Sequence, residues 1–190
     1  MAEVRDLPLF AWAEAFRIDR ARRRRLGARA ALVALGIGAL GATIALPPAP
    51  RLVWNASPSA PLGLYRVTPP ARLASGDMVV AWLPAPARAL AARRRYLPAN
   101  VPAVKRIAAI VGARVCAIGA TIRINGEVVA TRLKADRLGR TLPWWHGCRT
   151  LHAGELLLLN PASASSFDGR YFGTSRDRDI LGKAELLWAR

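Results

Sequence analysis

Hydrophobic positions fall into one long run and a series of short ones. Residues 26–46 (LGARAALVALGIGALGATIAL) carry a single charge, Arg29, near the start of the run. A helix of that length, at ~1.5 Å per residue, reaches about 30 Å, the thickness of a bilayer core. Arg29 can snorkel to the interface, and Pro47 and Pro48 stop the helix. The run therefore predicts a transmembrane helix. Arg20 and the block Arg22 to Arg25 precede it, and the positive-inside rule puts that side in the cytoplasm. The chain then divides into a basic cytoplasmic N-terminus (1–25), a signal anchor (26–46) and an outward domain (49–190). In a bacterium this is a single-pass inner-membrane protein with its domain in the periplasm. A cleaved signal peptide and a buried soluble helix are the alternatives. The signal peptide fits poorly, because Glu3, Asp6, Glu14 and Asp19 lie upstream and prolines crowd the place of cleavage.

Beyond the span the runs are short. Leu64 to Val67 and Met78 to Trp82 predict strands, and Pro84 to Arg95 a loop with one or two helical turns. Val104 to Val111 fits a strand or a helix equally. Thr121–Ile124 and Glu127–Ala130 flank Asn125-Gly126, the preferred pair for a type I′ hairpin turn. Glu155–Leu159 and Ile180–Trp188 add two strands. The outer part is mainly β. No repeat and no βαβ alternation occurs, which excludes a doubly wound parallel sheet.

Length sharpens this picture little: 190 residues make one domain with an appendage. A hydrophobic content of 53% excludes a disordered chain. Two cysteines exclude a disulfide scaffold and a four-thiolate zinc site. Charge changes more. The net +17 combines eight arginines against four acids up to residue 29, and 21 basic against eight acidic residues after it. Such an excess points to an anionic surface, either nucleic acid or phospholipid headgroups. Apolar residues near Leu62 and Trp82 are candidates for docking on that lipid. Only Lys105, Lys134 and Lys183 of the 29 basic residues are lysines, so each raises the question of what arginine could not do there.

Three stretches can carry chemistry. Asn55-Ala-Ser57-Pro-Ser59-Ala-Pro61-Leu-Gly63-Leu-Tyr65 sets two serines on a proline-stiffened segment, with a glycine that allows a sharp bend. A Ser/Pro linker is its plain reading. Lys105 lies inside the longest apolar run of the outer domain. Burial lowers a lysine pKa, and a neutral lysine can act as a general base where arginine cannot. Its plain reading is a strand-edge lysine with its head in water. Ser166-Phe-Asp168-Gly-Arg170-Tyr-Phe-Gly173 offers a serine, an acid and an arginine two apart; alone it is a surface turn. His146 and His152 read as structural or surface residues.

Taken in this order, Ser-x-Ser-x-Pro after a span, Lys-Arg in an apolar run and Ser-x-Asp-x-Arg near the end, the chain resembles the bacterial type I signal peptidase family of Ser/Lys proteases. Gly76-Asp77-Met-Val-Val80 fits that family's Gly-Asp-x-Val strand. The resemblance covers roughly residues 53–188. Ser57 to Tyr65 and Asp136 to Cys148 look most like the conjugative-transfer, TraF-type branch, whose peptidases mature pilin precursors. The resemblance implies a coiled antiparallel β-sheet domain after one N-terminal transmembrane helix. It implies Ser59 as nucleophile and Lys105 as general base. Ser57 would supply an oxyanion-hole hydroxyl beside the Ser59 N–H, Ser166 would orient the lysine, and Asp168 and Arg170 would support the site. The branch also carries a cysteine pair at the places of Cys116 and Cys148. In an exported domain these form a disulfide, the alternative being two free buried thiols. Two positions depart from the family: Gly169 where serine is usual, and Ala113 where aspartate is usual.

The chemistry so implied is self-consistent. A serine hydroxyl needs a base to become a nucleophile, and lowering a lysine pKa by ~2–3 units costs roughly 3–4 kcal/mol, within reach of desolvation. No cofactor or metal is required. The expected activity is a membrane-anchored serine endopeptidase. Its expected substrates are exported, membrane-held precursors, pilin-like, with small residues before the cut. Its partners would be the bilayer and conjugation or secretion machinery. The alternative is a non-enzymatic anchored β-domain serving as a scaffold in such an apparatus. A nucleic-acid-binding role is not expected, since it wants aromatics interleaved in a basic groove on a DNA-exposed protein.

Overall fold

The computed structural model describes residues 8–46 and 50–190. Two compact units result, Met1–Ala49 and Pro50–Arg190. The first is the helix α1 (Pro8–Ala45). It begins well before the apolar run, because the alanines and arginines upstream have high helix propensity and nothing there breaks the backbone. Its segment Glu14–Ala45 is long and apolar enough to cross a membrane by length and composition. The prolines expected to stop the helix lie outside the described residues.

The second unit is mainly β and antiparallel throughout. A seven-stranded sheet has the order β1-β2-β11-β3-β4-β9-β10. Its strands are β1 (Leu52–Asn55), β2 (Gly63–Thr68), β3 (Met78–Ala81), β4 (Ala103–Ala109), β9 (Glu155–Leu159), β10 (Ser175–Arg176) and β11 (Ile180–Ala189). A four-stranded sheet, β7-β6-β5-β8, is built from β5 (Arg114–Ile118), β6 (Thr121–Ile124), β7 (Glu127–Thr131) and β8 (Gly147–Thr150). The unit also holds two α-helices, α2 (Ala85–Arg93) and the single turn α3 (Gly169–Phe172), and a 3-10 turn at Asp177–Asp179. The Asn125-Gly126 turn has φ of 51° and 94°, the two left-handed residues a type I′ turn requires.

The ambiguous run 104–111 resolves as strand β4. Ala103, Lys105, Ile107 and Ala109 are buried on one side and Val104 on the other, so both faces are covered and the run looks continuous. Pro84 to Arg95 is more helical than expected. Pro84 caps α2, Pro86 sits in its first turn and the alanines Ala87 and Ala91 pack inward. Trp82 falls outside β3, its N–H donating to Asp179 O instead. Leu62 and Trp82 are only half exposed, Trp82 lying beneath the Arg88 guanidinium. Apolar side chains more exposed than these include Leu52 and Trp54 on β1 and Leu187 and Trp188 at the end of β11.

Gly63 opens β2 for a steric reason rather than a bend. A Cβ there would run into the Trp188 carbonyl of β11. Cys116 and Cys148 face each other across β5 and β8 and are disulfide-bonded. The bond closes a loop with a sequence separation of 32.

Candidate active site

The turn after β1 is shaped by one side chain. Asn55 Oδ1 accepts from the Ser57 N–H at 3.1 Å, and its amide donates to the carbonyls of Ser57 (3.0 Å), Ala60 (3.2 Å) and Pro61 (3.0 Å). The buried Tyr65 hydroxyl adds a bond to Pro61 O at 2.9 Å. These bonds curl residues 57–61 so that both serines face inward, half buried. Their hydroxyls lie 3.1 Å apart. Ser57 Oγ also accepts from the Ser59 N–H at 3.4 Å. The two groups suited to hold an oxyanion are therefore bonded to each other, and a χ1 rotation of Ser57 would turn its hydroxyl outward and leave the Ser59 N–H free.

Lys105 projects from β4, which sits between β3 and β9 in the larger sheet. It is 4% exposed. Its Nζ lies 2.9 Å from Ser166 Oγ and 3.5 Å from Ser59 Oγ. Burial lowers its pKa to about 8, Asp168 opposing that shift and Arg170 adding to it. At neutral pH a usable fraction of the amine is unprotonated, with its lone pair free to accept a proton.

Beneath Ser166 lies a fully buried ion pair. Arg170 Nε meets Asp168 Oδ1 at 2.8 Å and Arg170 Nη2 meets Oδ2 at 3.1 Å, a two-pronged contact with both residues no more than 1% exposed. Arg170 also donates to the carbonyls of Thr131 and Asn160. Asp168 caps α3 through the Arg170 N–H and accepts from the Asn160 N–H. The structure thus brings Ser57, Ser59, Lys105, Ser166, Asp168 and Arg170 into one cluster. The Cys116–Cys148 bond lies apart, in the smaller sheet. The Trp145 indole, three residues before Cys148, donates to Gly169 O at 2.9 Å. His146 and His152 are exposed.

Gly169 has a steric reason. A Cβ there would stand 2.7 Å from Leu158 O and 2.8 Å from Leu157 Cδ1. The close approach of β9 leaves no room for the usual serine. Gly169→Ser is expected to lower the thermal midpoint by several degrees, since overpacking a core costs typically ~1–3 kcal/mol; a melting curve checks it. Ala113, the other departure, packs against the core cluster shared by the two sheets.

A cavity of about 750 Å³ opens beside Ser59 and Lys105. Val53, Leu83, Tyr96, Leu133, Leu142 and Phe167 give it apolar walls. One wall is segment 133–142, held by Asp136, whose carboxylate accepts from the Tyr96 hydroxyl and the N–H groups of Leu138 and Arg140. This wall was not legible beforehand, because its contacts join residues about 40 apart. Nor were Asn55 and Asn160, although each stands where a strand ends next to a Pro-containing turn.

The sequence profile described as signal peptidase, peptidase S26, matches residues 24–189. The chain belongs to that family. Its TraF-type relatives include a probable conjugal transfer protein TraF of Sinorhizobium fredii, 32% identical over 139 residues, covering 69% of this chain and 73% of that protein. A conjugal transfer protein TraF of Agrobacterium fabrum is 35% identical over 154 residues, covering 70% and 80%. A plasmid transfer protein TraF of Escherichia coli is 41% identical over 73 residues, covering 37% of this chain and 41% of that protein. The chain spans less than half the length of the Escherichia coli relatives it matches. A crystal structure of a signal peptidase I from Enterococcus faecalis is a distant structural likeness. It has 17% identity and a TM-score of 0.34, covering 59% of this chain and 97% of that one.

Proposed function

We propose that this S26 protein is a membrane-anchored serine endopeptidase with Ser59 as nucleophile and Lys105 as general base. The observation that carries the reading is the buried Lys105 amine, within 3.5 Å of Ser59 Oγ and 2.9 Å of Ser166 Oγ. Neutral Lys105 takes the Ser59 hydroxyl proton as Oγ attacks the scissile carbonyl carbon. The carbonyl π electrons move to oxygen, and the oxyanion is met by the Ser59 N–H and the rotated Ser57 hydroxyl. Collapse breaks the C–N bond, and Lys105 ammonium returns its proton to the leaving amine. An acyl ester on Ser59 remains. Water, deprotonated by Lys105, releases the acid; a second amine in its place would give ligation or cyclisation. Ser166 Oγ fixes the amine by accepting a hydrogen bond from one of its N–H groups, which leaves the lone pair aimed at Ser59.

The substrate is an exported precursor of a conjugal transfer apparatus, with pilin the leading class, a reading supported by the names of the TraF relatives. Helix α1 anchors the chain, its arginine block on the cytoplasmic side and the Pro50–Arg190 unit in the periplasm. The disulfide supports an oxidising compartment.

Cleavage of a pilin-type precursor by the full chain in liposomes tests the assignment. Ser59→Ala is expected to lower kcat by roughly a thousandfold or more and to abolish labelling by an acylating probe. Undiminished cleavage by the variant would remove Ser59 from the mechanism. A folded wild type that neither cleaves nor labels would favour a non-catalytic scaffold.

A further inference from the structure

Two buried asparagines stand behind the proposed dyad, one on each side. Asn55, 7% exposed, carries the bonds that curl residues 57–61. Asn160, 6% exposed, does the equivalent for the lysine strand. Strand β9 pairs with β4 as far as Leu159 opposite Arg106. Pro161 follows Asn160 and offers no N–H, so the ladder cannot run on. The Asn160 side chain continues it instead. Its Oδ1 accepts from the Arg106 N–H at 3.1 Å and its Nδ2 donates to Val104 O at 3.2 Å. Both peptide groups flanking Lys105 are thereby held by one side chain.

The Asn160 backbone is itself gripped. Its N–H donates to Asp168 Oδ2 and its carbonyl accepts from Arg170 Nη2, each at 3.0 Å. A continuous path runs from the buried ion pair through Asn160 to the β4 backbone on either side of Lys105. Its Asn55 counterpart runs from the end of β1 to the turn that carries Ser59. The Ser59 to Lys105 distance is set by where a turn meets a strand, and a single asparagine defines each.

We propose that Asn55 and Asn160 are positioning residues of the peptidase, Asn55 fixing the nucleophile turn and Asn160 holding the base in its buried register. This rests on the Ser59/Lys105 reading, and the experiment separates the two. The roles differ, so the signatures differ. Losing Asn160 loosens β4, admits water to the amine and lets its pKa climb. Losing Asn55 displaces the hydroxyl and leaves the amine buried against Ser166.

The test uses the full chain in detergent micelles with 13C-labelled lysine. Only Lys105, Lys134 and Lys183 contribute signals, so the Lys105 side chain can be titrated directly. Wild type, Asn55→Ala, Asn160→Ala and Ser59→Ala are compared, with precursor cleavage over a pH series alongside. Both asparagine variants are expected to lose about ten- to a hundredfold in kcat with KM little changed, as for misplacement by about 1 Å. Asn160→Ala is expected to shift the Lys105 titration and the ascending limb upward together by about one unit. Asn55→Ala is expected to leave both in place. A wild-type titration near 8 that Asn160→Ala does not move overturns the Asn160 role. Wild-type kcat in folded Asn55→Ala overturns the Asn55 role. A wild-type Lys105 titrating near 10.5 overturns the dyad itself and the proposal with it.

Discussion

Cleavage is expected to rise about tenfold per pH unit up to about pH 8 and to level off above it, and Lys105→Arg is expected to abolish it. The buried amine has its pKa lowered to about 8, desolvation outweighing the nearby Asp168 carboxylate while Arg170 assists. Below that value the neutral fraction falls by a factor of ten per unit, and kcat/KM follows it. Arginine stays protonated throughout the accessible range, so the variant retains charge and bulk without a lone pair. The same shift bears on stability. The folded pKa lies below the unfolded value of 10.5, so the unfolded chain binds more protons between the two. Stability from this group therefore rises as pH increases from about 8 to 10.5, and is lowest below 8. The penalty at neutral pH is about 3 kcal/mol at 1.36 kcal/mol per unit. Lys105→Met is thus expected to be inactive and more stable than wild type at pH 7. That gain should vanish near pH 11. Denaturant melts at both pH values check this, and equal stabilities at pH 7 would contradict a buried, destabilised lysine.

The second large effect is expected at Asp168. Removing its carboxylate with Asp168→Ala leaves the Arg170 guanidinium charged, enclosed and without its counter-ion. It also takes the acceptor from the Asn160 N–H. Breaking one side of a buried pair costs about 3–5 kcal/mol, which corresponds to a fall in melting temperature of roughly 10 °C for a chain of this size. Asp168→Asn keeps the shape and removes the charge. Asp168 raises the Lys105 pKa and Arg170 lowers it, so this variant should move the ascending limb of the pH profile below 8. A limb displaced upward would show that loss of burial, not of charge, dominates there.

Helix 26–46, the Asn125-Gly126 hairpin and the strands around Tyr65, Val79 and Leu157 were legible because each depends on local pattern. An apolar run, two left-handed turn residues or an alternating segment behaves alike in most surroundings. Strand β8 was not legible, since Gly147–Thr150 is exposed throughout and pairs only because β5 and the disulfide hold it. The upstream reach of α1 was missed because hydrophobicity marked the span, whereas helix propensity set its start. For the candidate site, Ser57, Ser59, Lys105, Ser166, Asp168 and Arg170 stood out as residue types at a spacing, and by resemblance. That singles out the groups and leaves their geometry unstated.

By itself the sequence determined the kinds of group available: one lysine in an apolar run, serines on proline-stiffened segments, an acid and an arginine two apart. Only the tertiary structure decided that Asn55 and Asn160 back them, that Gly169 has no room for a side chain, and that segment 133–142 walls the cavity. Those facts depend on contacts between residues far apart in the chain, such as Asn160 with Val104 or Tyr96 with Asp136. Such contacts follow from how the sheets close on each other. No local window of sequence encodes that closure, because its energy is shared among side chains that meet only once the fold is complete.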